Sequence, residues 1–343
     1  MMTGMDRLAA AIKGEKADRI PVFCNLLDQG AKELGLTSLY DYYQRGEYVA
    51  EGQLKMREKY GYDNVWSLFY VGKEAELLGC RKILFSPDGP PNVEHFVIQS
   101  YDDIHNLEIP DDIIHHPVFA EELKCLQILK QEAGGHYPIC GYVTAGMALP
   151  ALLMGMDKWF ELLFMGPPEV RDELLAKCSL FCQRHIAALR ELGVDVIVYA
   201  NPFGSTDFVP LPYIIKTGIP WMKQDLSAGL QGIVYYCGGA RFNQVIETII
   251  SQIGIETYYL SPLDDIATGK QIINGRGLTC GVINDIKLID WSEQEIRQEV
   301  KRLLTAGDMA GGKFLFGTIL MPYKIPERNI RAMLDAVYEF GQF

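Results

Sequence analysis

Eight short runs of β-branched and aromatic residues recur along the chain, each separated from the next by helical patterning. They are Ile20–Asn25, Asn64–Phe69, Pro138–Val143, Asp195–Ala200, Gly232–Cys237, Ile255–Leu260, Leu278–Ile283 and Lys313–Thr318. Each reads as a buried strand. Eight strands alternating with helices predict an α/β chain closed into a (β/α)8 TIM barrel. The 343 residues could make two domains, but one barrel of that length is equally ordinary. No linker divides the chain, so a single domain over 1–343 is expected.

The helical gaps carry their own punctuation. Pro168 to Leu192 starts after Pro167, has Glu169, Asp172 and Glu173 near its start, and stops at Gly193. Ser292 and Glu295 spell a capping box for a helix running to Leu304. Pro326 to Phe340 predicts a closing amphipathic helix. One region departs from the alternation. Ile83–Phe85, a turn at Pro87-Asp88-Gly89-Pro90-Pro91, and Val93–Gln99 predict a hairpin inserted after the second strand, over about 83–99.

Composition narrows the function. Apolar residues make up 48% and charged residues 22%, as in soluble globular proteins. The net charge of −12 is broken by no basic tract, which argues against nucleic acid as a partner. Eight scattered cysteines without a CxxC read as reduced thiols of a cytoplasmic protein. Met1 to Lys16 carries charge throughout, unlike a signal peptide. The longest apolar stretch, Tyr142 to Met156, falls short of the roughly 20 residues a membrane span needs.

Parallel barrels place their chemistry at the C-terminal ends of the strands. That rule selects Asn25 and Asp28 after the first strand and Glu74 after the second. It selects Tyr142 on the third and Asn201 after the fourth. Tyr235 and Cys237 end the fifth, Asn284 follows the seventh, and Tyr323 follows the eighth. Tyr235, Cys237, Asp28 and Glu74 are the candidate catalytic groups. Asn25, Tyr142, Asn201, Asn284 and Tyr323 are the candidate substrate contacts. A rim of amides and phenols without an Arg or Lys cluster suits a neutral or weakly polar organic molecule, not a polyanion. Blander roles compete: the asparagines can cap loops, Tyr235 can pack in the core, and Glu74 can open a solvated helix. Cys24, Cys140 and Cys280 read as small buried hydrophobes. His185 reads as structural on the face of a long helix.

Several passages carry a family resemblance. They are Asp18-Arg19-Ile20-Pro21-Val22, Glu74 to Cys80 with the Asp88-Gly89-Pro90-Pro91 turn, Ser100 to Ile104 through Asp111, Gly193 to Phe203, Gly311 to Phe314, and Pro326 to Ile330. Over nearly its whole length the chain resembles the uroporphyrinogen decarboxylase superfamily. It is most similar to the cobalamin-linked, methylcobamide:coenzyme M methyltransferase branch. The decarboxylases bind a tetrapyrrole through an arginine-bearing segment after the first strand. Here that segment, Asn25 to Gly30, has no arginine. The methyltransferases hold zinc with His-x-Cys on the fifth strand and a Cys near the end of the eighth. Here Tyr235 stands at the His position, Cys237 is kept, and no Cys follows Cys280.

The resemblance implies a methyltransferase-like component of a corrinoid-dependent demethylase system. It would move a methyl group between a small organic donor or acceptor and a cobalamin-type corrinoid on a partner protein. Cys237 is the one retained metal position, so zinc binding would be absent or atypical. A set rebuilt from Cys237 with Cys24, Cys280 or a rim carboxylate stays open. The alternatives are a decarboxylase or lyase of a small organic acid, and a non-catalytic ligand-binding member of the family.

Overall fold

The computed structural model describes residues 2–86, 89 and 91–343. Ten strands occur among them: β1 (Val22–Asn25), β2 (Val65–Trp66), β3 (Ile83–Leu84), β4 (Asn92–Val93), β5 (Ile139–Thr144), β6 (Val196–Ala200), β7 (Ile233–Tyr236), β8 (Thr257–Tyr259), β9 (Leu278–Val282) and β10 (Phe314–Leu320). Eight form one parallel sheet in the order β1-β10-β9-β8-β7-β6-β5-β2, wrapped by helices, which is the predicted barrel. The remaining two, β3 and β4, pair antiparallel as the inserted hairpin. Within its predicted turn, Pro87, Asp88 and Pro90 lie outside the described residues.

The predicted caps form. Ser292 accepts from the Glu295 amide and Glu295 returns to the Ser292 amide, starting the helix Glu293–Ala306. The long helix Pro168–Glu191 follows Pro167 as expected. Pro326 precedes the closing helix Glu327–Phe340, whose Ile330, Met333, Leu334 and Val337 face the core.

The barrel closes between β1 and β2, where a side chain replaces part of the ladder. The Asp63 amide donates to the Val22 carbonyl at 2.8 Å. One step further, the Asn64 carboxamide accepts from the Cys24 amide at 2.8 Å and donates to the Cys24 carbonyl at 3.2 Å. Trp66 Nε1 donates to that same carbonyl at 3.0 Å. This explains why β2 spans two residues rather than the predicted run from Asn64 to Phe69: side-chain amide and indole groups satisfy the seam. Below it, the buried Asp63 carboxylate accepts from the Val22 amide, Arg7 and Arg19, tying the N-terminal segment to the barrel floor.

Registers fix which side chains face inward. Tyr199, Tyr235 and Tyr258 are paired across β6, β7 and β8, and so share one face. Tyr236, Tyr259 and Cys280 are likewise paired and share the other. No helix among the described residues is long and apolar enough to cross a membrane.

Candidate functional site

The inward row ends in a chamber at the C-terminal end of the barrel, with a volume of ≈ 230 Å³. Its walls are the rings of Trp66, Phe69, Tyr142, Tyr236 and Tyr259, with Asn25 and Thr318 as the main polar edges. Phe69 and Tyr142 stack with centroids 4.6 Å apart. Among the described residues, no Lys, Arg or His lines it. A neighbouring chamber of ≈ 340 Å³ shares Val71 and Tyr142 and runs under the hairpin, past Val93 and Phe96. A third cavity of ≈ 440 Å³ opens at the opposite end of the barrel, beneath Leu8 and Ile12 of the first helix. Tyr259 belongs to both the first and the third, and so forms the floor between them. The C-terminal chamber is the candidate site, although the third is larger, because barrels of this kind do their chemistry at that end.

Asn25 and Tyr142 are thus brought together at the chamber. Asn25 is held by its amide, which donates to Thr318 Oγ1 at 2.9 Å, while its buried Oδ1 has no partner. Trp66, Phe69, Tyr236, Tyr259 and Thr318 join them as lining. Parity along each strand was the available signal. A fully buried strand hides it, because both faces are apolar.

Tyr235 points the other way. Its ring packs among Tyr199, Phe242 and Tyr258, between the barrel and its helices. Its hydroxyl lies over Gly204, where an added Cβ would stand 2.0 Å from it and 3.0 Å from Asn201 Nδ2. Asn201 is therefore also behind the strand layer. Burial pushes the Tyr235 phenol well above its ordinary value, so it is a weak acid.

Cys237 leaves the lumen as well. Gly238 and Gly239 both adopt positive φ, 68° and 82°, and turn the chain over the rim. The Cys237 thiol donates to the Ala240 carbonyl at 2.6 Å. Burial first, then nearby Asp264, raise this thiol well above its ordinary value, which opposes the thiolate a metal needs. Among the described residues, no three His, Cys, Asp or Glu side chains gather as a metal site requires. The residues present therefore do not fit zinc.

Asp28 and Glu74 lie behind the lining. Asp28 is fully buried, accepts from the Tyr43 hydroxyl, and leaves Oδ2 without a partner. Burial raises it to about 6, against the opposing pull of Tyr43 and Lys32. Glu74 Oε1 accepts from the Thr144 amide at 2.9 Å and meets His185 Nδ1 at 3.0 Å. His185 is thus the partner of a candidate acid, a pairing that a separation of 111 positions conceals in the sequence. Glu122 is buried near this pair, and its carboxyl is pushed by burial to about 7. Asn284 Oδ1 caps a turn by accepting from the Lys287 amide at 3.1 Å. Tyr323 sits at the rim beneath Lys32 Nζ, which is 3.9 Å from its ring centre.

The next residue after Asn284, Asp285, is 5% exposed in the segment after β9, its charge acts on Tyr236, and burial raises its carboxyl to about 6. Around the mouth, Phe208, Leu263 and Ile286 are exposed on segments that follow barrel strands, Phe96 on the segment after the hairpin, and Met156 at the start of a helix after β5.

Comparison with known proteins places this architecture. Residues 3–340 match the family described as Uroporphyrinogen decarboxylase (URO-D). Among solved structures, a methyltransferase from Methanosarcina mazei superposes with a TM-score of 0.85 at 20% identity, covering 99% of both chains. A putative vitamin-B12-independent methionine synthase from Listeria monocytogenes gives 0.56 at 12% identity, over 95% of this chain and 96% of that one. A B12-independent methionine synthase from Shewanella sp. W3-18-1, bound to selenomethionine, gives 0.54 at 13% identity and 86% of each chain. At these identities the likenesses are of fold.

Proposed function

The chain belongs to the uroporphyrinogen decarboxylase family, and from that premise we propose that it is a methyltransferase that exchanges a methyl group between a small organic molecule and a corrinoid carried by a separate protein. The observation that carries this reading is the small aromatic chamber with no basic lining. At ≈ 230 Å³ it falls below the roughly 300–1,000 Å³ of pockets for drug-sized ligands. A tetrapyrrole with many carboxylates would need room and cations that this lining lacks. The likeness in fold to the Methanosarcina methyltransferase over the full length supports the same branch.

The parts divide by location. The aromatic walls desolvate and orient the small molecule, and Asn25 Oδ1 offers a buried acceptor toward it. The exposed Phe96, Met156, Phe208, Leu263 and Ile286 would meet the partner that presents the corrinoid at the mouth. When bound and reduced, a corrinoid supplies a strong two-electron nucleophile for a methyl carbon. Tyr235 and Cys237, at the fifth-strand positions that the resemblance assigns to zinc, are turned out of the lumen, so methyl transfer on this reading proceeds without a thiol-activating metal.

The test is a methyl-transfer assay with reduced cobalamin and a panel of methylated amines and ethers, followed by the cobalamin absorbance spectrum. Transfer that survives removal of metal by chelation supports the reading. Loss on chelation with recovery on adding zinc would overturn its metal-free form. Release of carbon dioxide from a small acid without any corrinoid would replace it with a decarboxylase.

A further inference from the structure

Resting on that methyl-transfer reading, we infer that the chamber is a cation cage and that its ligand is a methylated ammonium compound, with a quaternary nitrogen seated among Trp66, Phe69, Tyr142, Tyr236 and Tyr259. Five aromatic side chains converge on one chamber from β2, the loop after it, β5, β7 and β8. Ring faces are electron-rich and attract a diffuse cation whose hydration is weak, as in the aromatic cages that bind choline-type groups. The buried Asp285 carboxyl, in the segment after β9, acts electrostatically on Tyr236 and adds negative potential from outside the lining. Among the described residues, no cationic side chain lines the chamber to repel such a ligand.

The chemistry of the leaving group points the same way. A methyl ether releases an alkoxide, or from an aryl ether a phenoxide, whose departure an acid assists, and the buried carboxyls Asp28 and Glu74 do not line the chamber. The phenols that do line it, Tyr142, Tyr236 and Tyr259, are made poorer acids by burial. A quaternary ammonium needs no acid. Its C–N bond breaks with the electron pair retained by nitrogen, which departs as a neutral tertiary amine. The new bond to the methyl carbon is formed by the electron pair of the external nucleophile, the reduced corrinoid of the partner protein. No proton moves. A donor of this class makes the lumen sufficient as it stands.

The experiment is a binding titration on the isolated protein, read by calorimetry and by the intrinsic fluorescence of its four tryptophans, of which Trp66 lines the chamber. The probes are tetramethylammonium, choline, its uncharged isostere 3,3-dimethyl-1-butanol, and anisole. Choline should bind at least about tenfold more tightly than the isostere. Tyr236→Leu should weaken choline by about tenfold and leave the isostere unchanged, whereas Tyr236→Phe keeps both affinities. Tyr142→Leu gives an independent second variant. Equal binding of choline and its isostere, tighter binding of anisole, or no binding of either ammonium probe overturns the cage. Because no corrinoid is present, this outcome is separate from the methyl-transfer reading. Methyl transfer from an ether with no ammonium binding would sink the cage alone. Ammonium binding without methyl loss to reduced cobalamin would sink the transfer reading alone.

Discussion

The Asn64 side chain grips the Cys24 peptide at both ends, accepting its amide at 2.8 Å and donating to its carbonyl at 3.2 Å. The barrel seam between β1 and β2 therefore depends on a carboxamide where the other seams depend on backbone. Both residues are fully buried, so water cannot replace either bond.

Asn64→Ala should cost about 2–4 kcal/mol, because it strands a buried amide as well as removing the bonds. Asn64→Asp should be at least as damaging, since it keeps the acceptor but loses the donor and buries a carboxylate. Urea denaturation monitored by circular dichroism checks both. Loss of less than about 1 kcal/mol in the alanine variant would show that the seam does not rely on this side chain.

Gly204→Ala should destabilise the protein by about 1–3 kcal/mol, because the new Cβ would meet the Tyr235 hydroxyl at 2.0 Å. Removing that oxygen with Tyr235→Phe should recover part of the loss. The double-mutant cycle should give a favourable coupling of at least about 0.5 kcal/mol. Additive effects would mean that Tyr235 does not occupy the space over Gly204.

The buried cluster of Glu74, His185 and Glu122 should make stability fall as pH rises through neutrality. Burial opposes protonation of His185, but the hydrogen bond and charge of Glu74, with Glu122, outweigh it and raise the imidazole above its ordinary value. A raised histidine contributes stability that is full below its unfolded pKa and is lost as pH climbs through the folded one. Glu122 has the same sign: its carboxyl at about 7 favours the fold below the ordinary 4.5 and loses that contribution as pH rises through about 7. Glu122→Gln should thus raise the urea midpoint at pH 8, by the equivalent of up to about 3 kcal/mol, and change it little at pH 5. A larger gain at pH 5 than at pH 8 would refute the assignment.

Much of this molecule could be read from its sequence, and the reasons for the exceptions are physical. The eight strand segments and the Ser292–Glu295 cap are local signals, carried by β-branched runs and by hydrogen bonds between near neighbours. The face of a barrel strand is a different matter. Tyr235 and Tyr236 are both aromatic and both surrounded by apolar residues, so no alternation tells which one enters the lumen. The register with Tyr199 and Tyr258 decides it, and register is a property of three strands together. The Glu74–His185 contact eluded the sequence for a related reason: it joins the short helix after β2 to the long helix before β6. Asn25 and Tyr142 were among the residues the strand-end rule selects, and their inward register brings these two to the chamber.

Tyr259 gives the barrel interior a property that neither cavity has by itself. One phenol ring is the partition between a mouth chamber of ≈ 230 Å³ and a rear cavity of ≈ 440 Å³. Trimming that ring to a small side chain would enlarge the mouth chamber toward the rear cavity. A single position on β8 thus sets how deep a guest molecule can travel, and with it the length of the chain such a guest is allowed to trail behind its head.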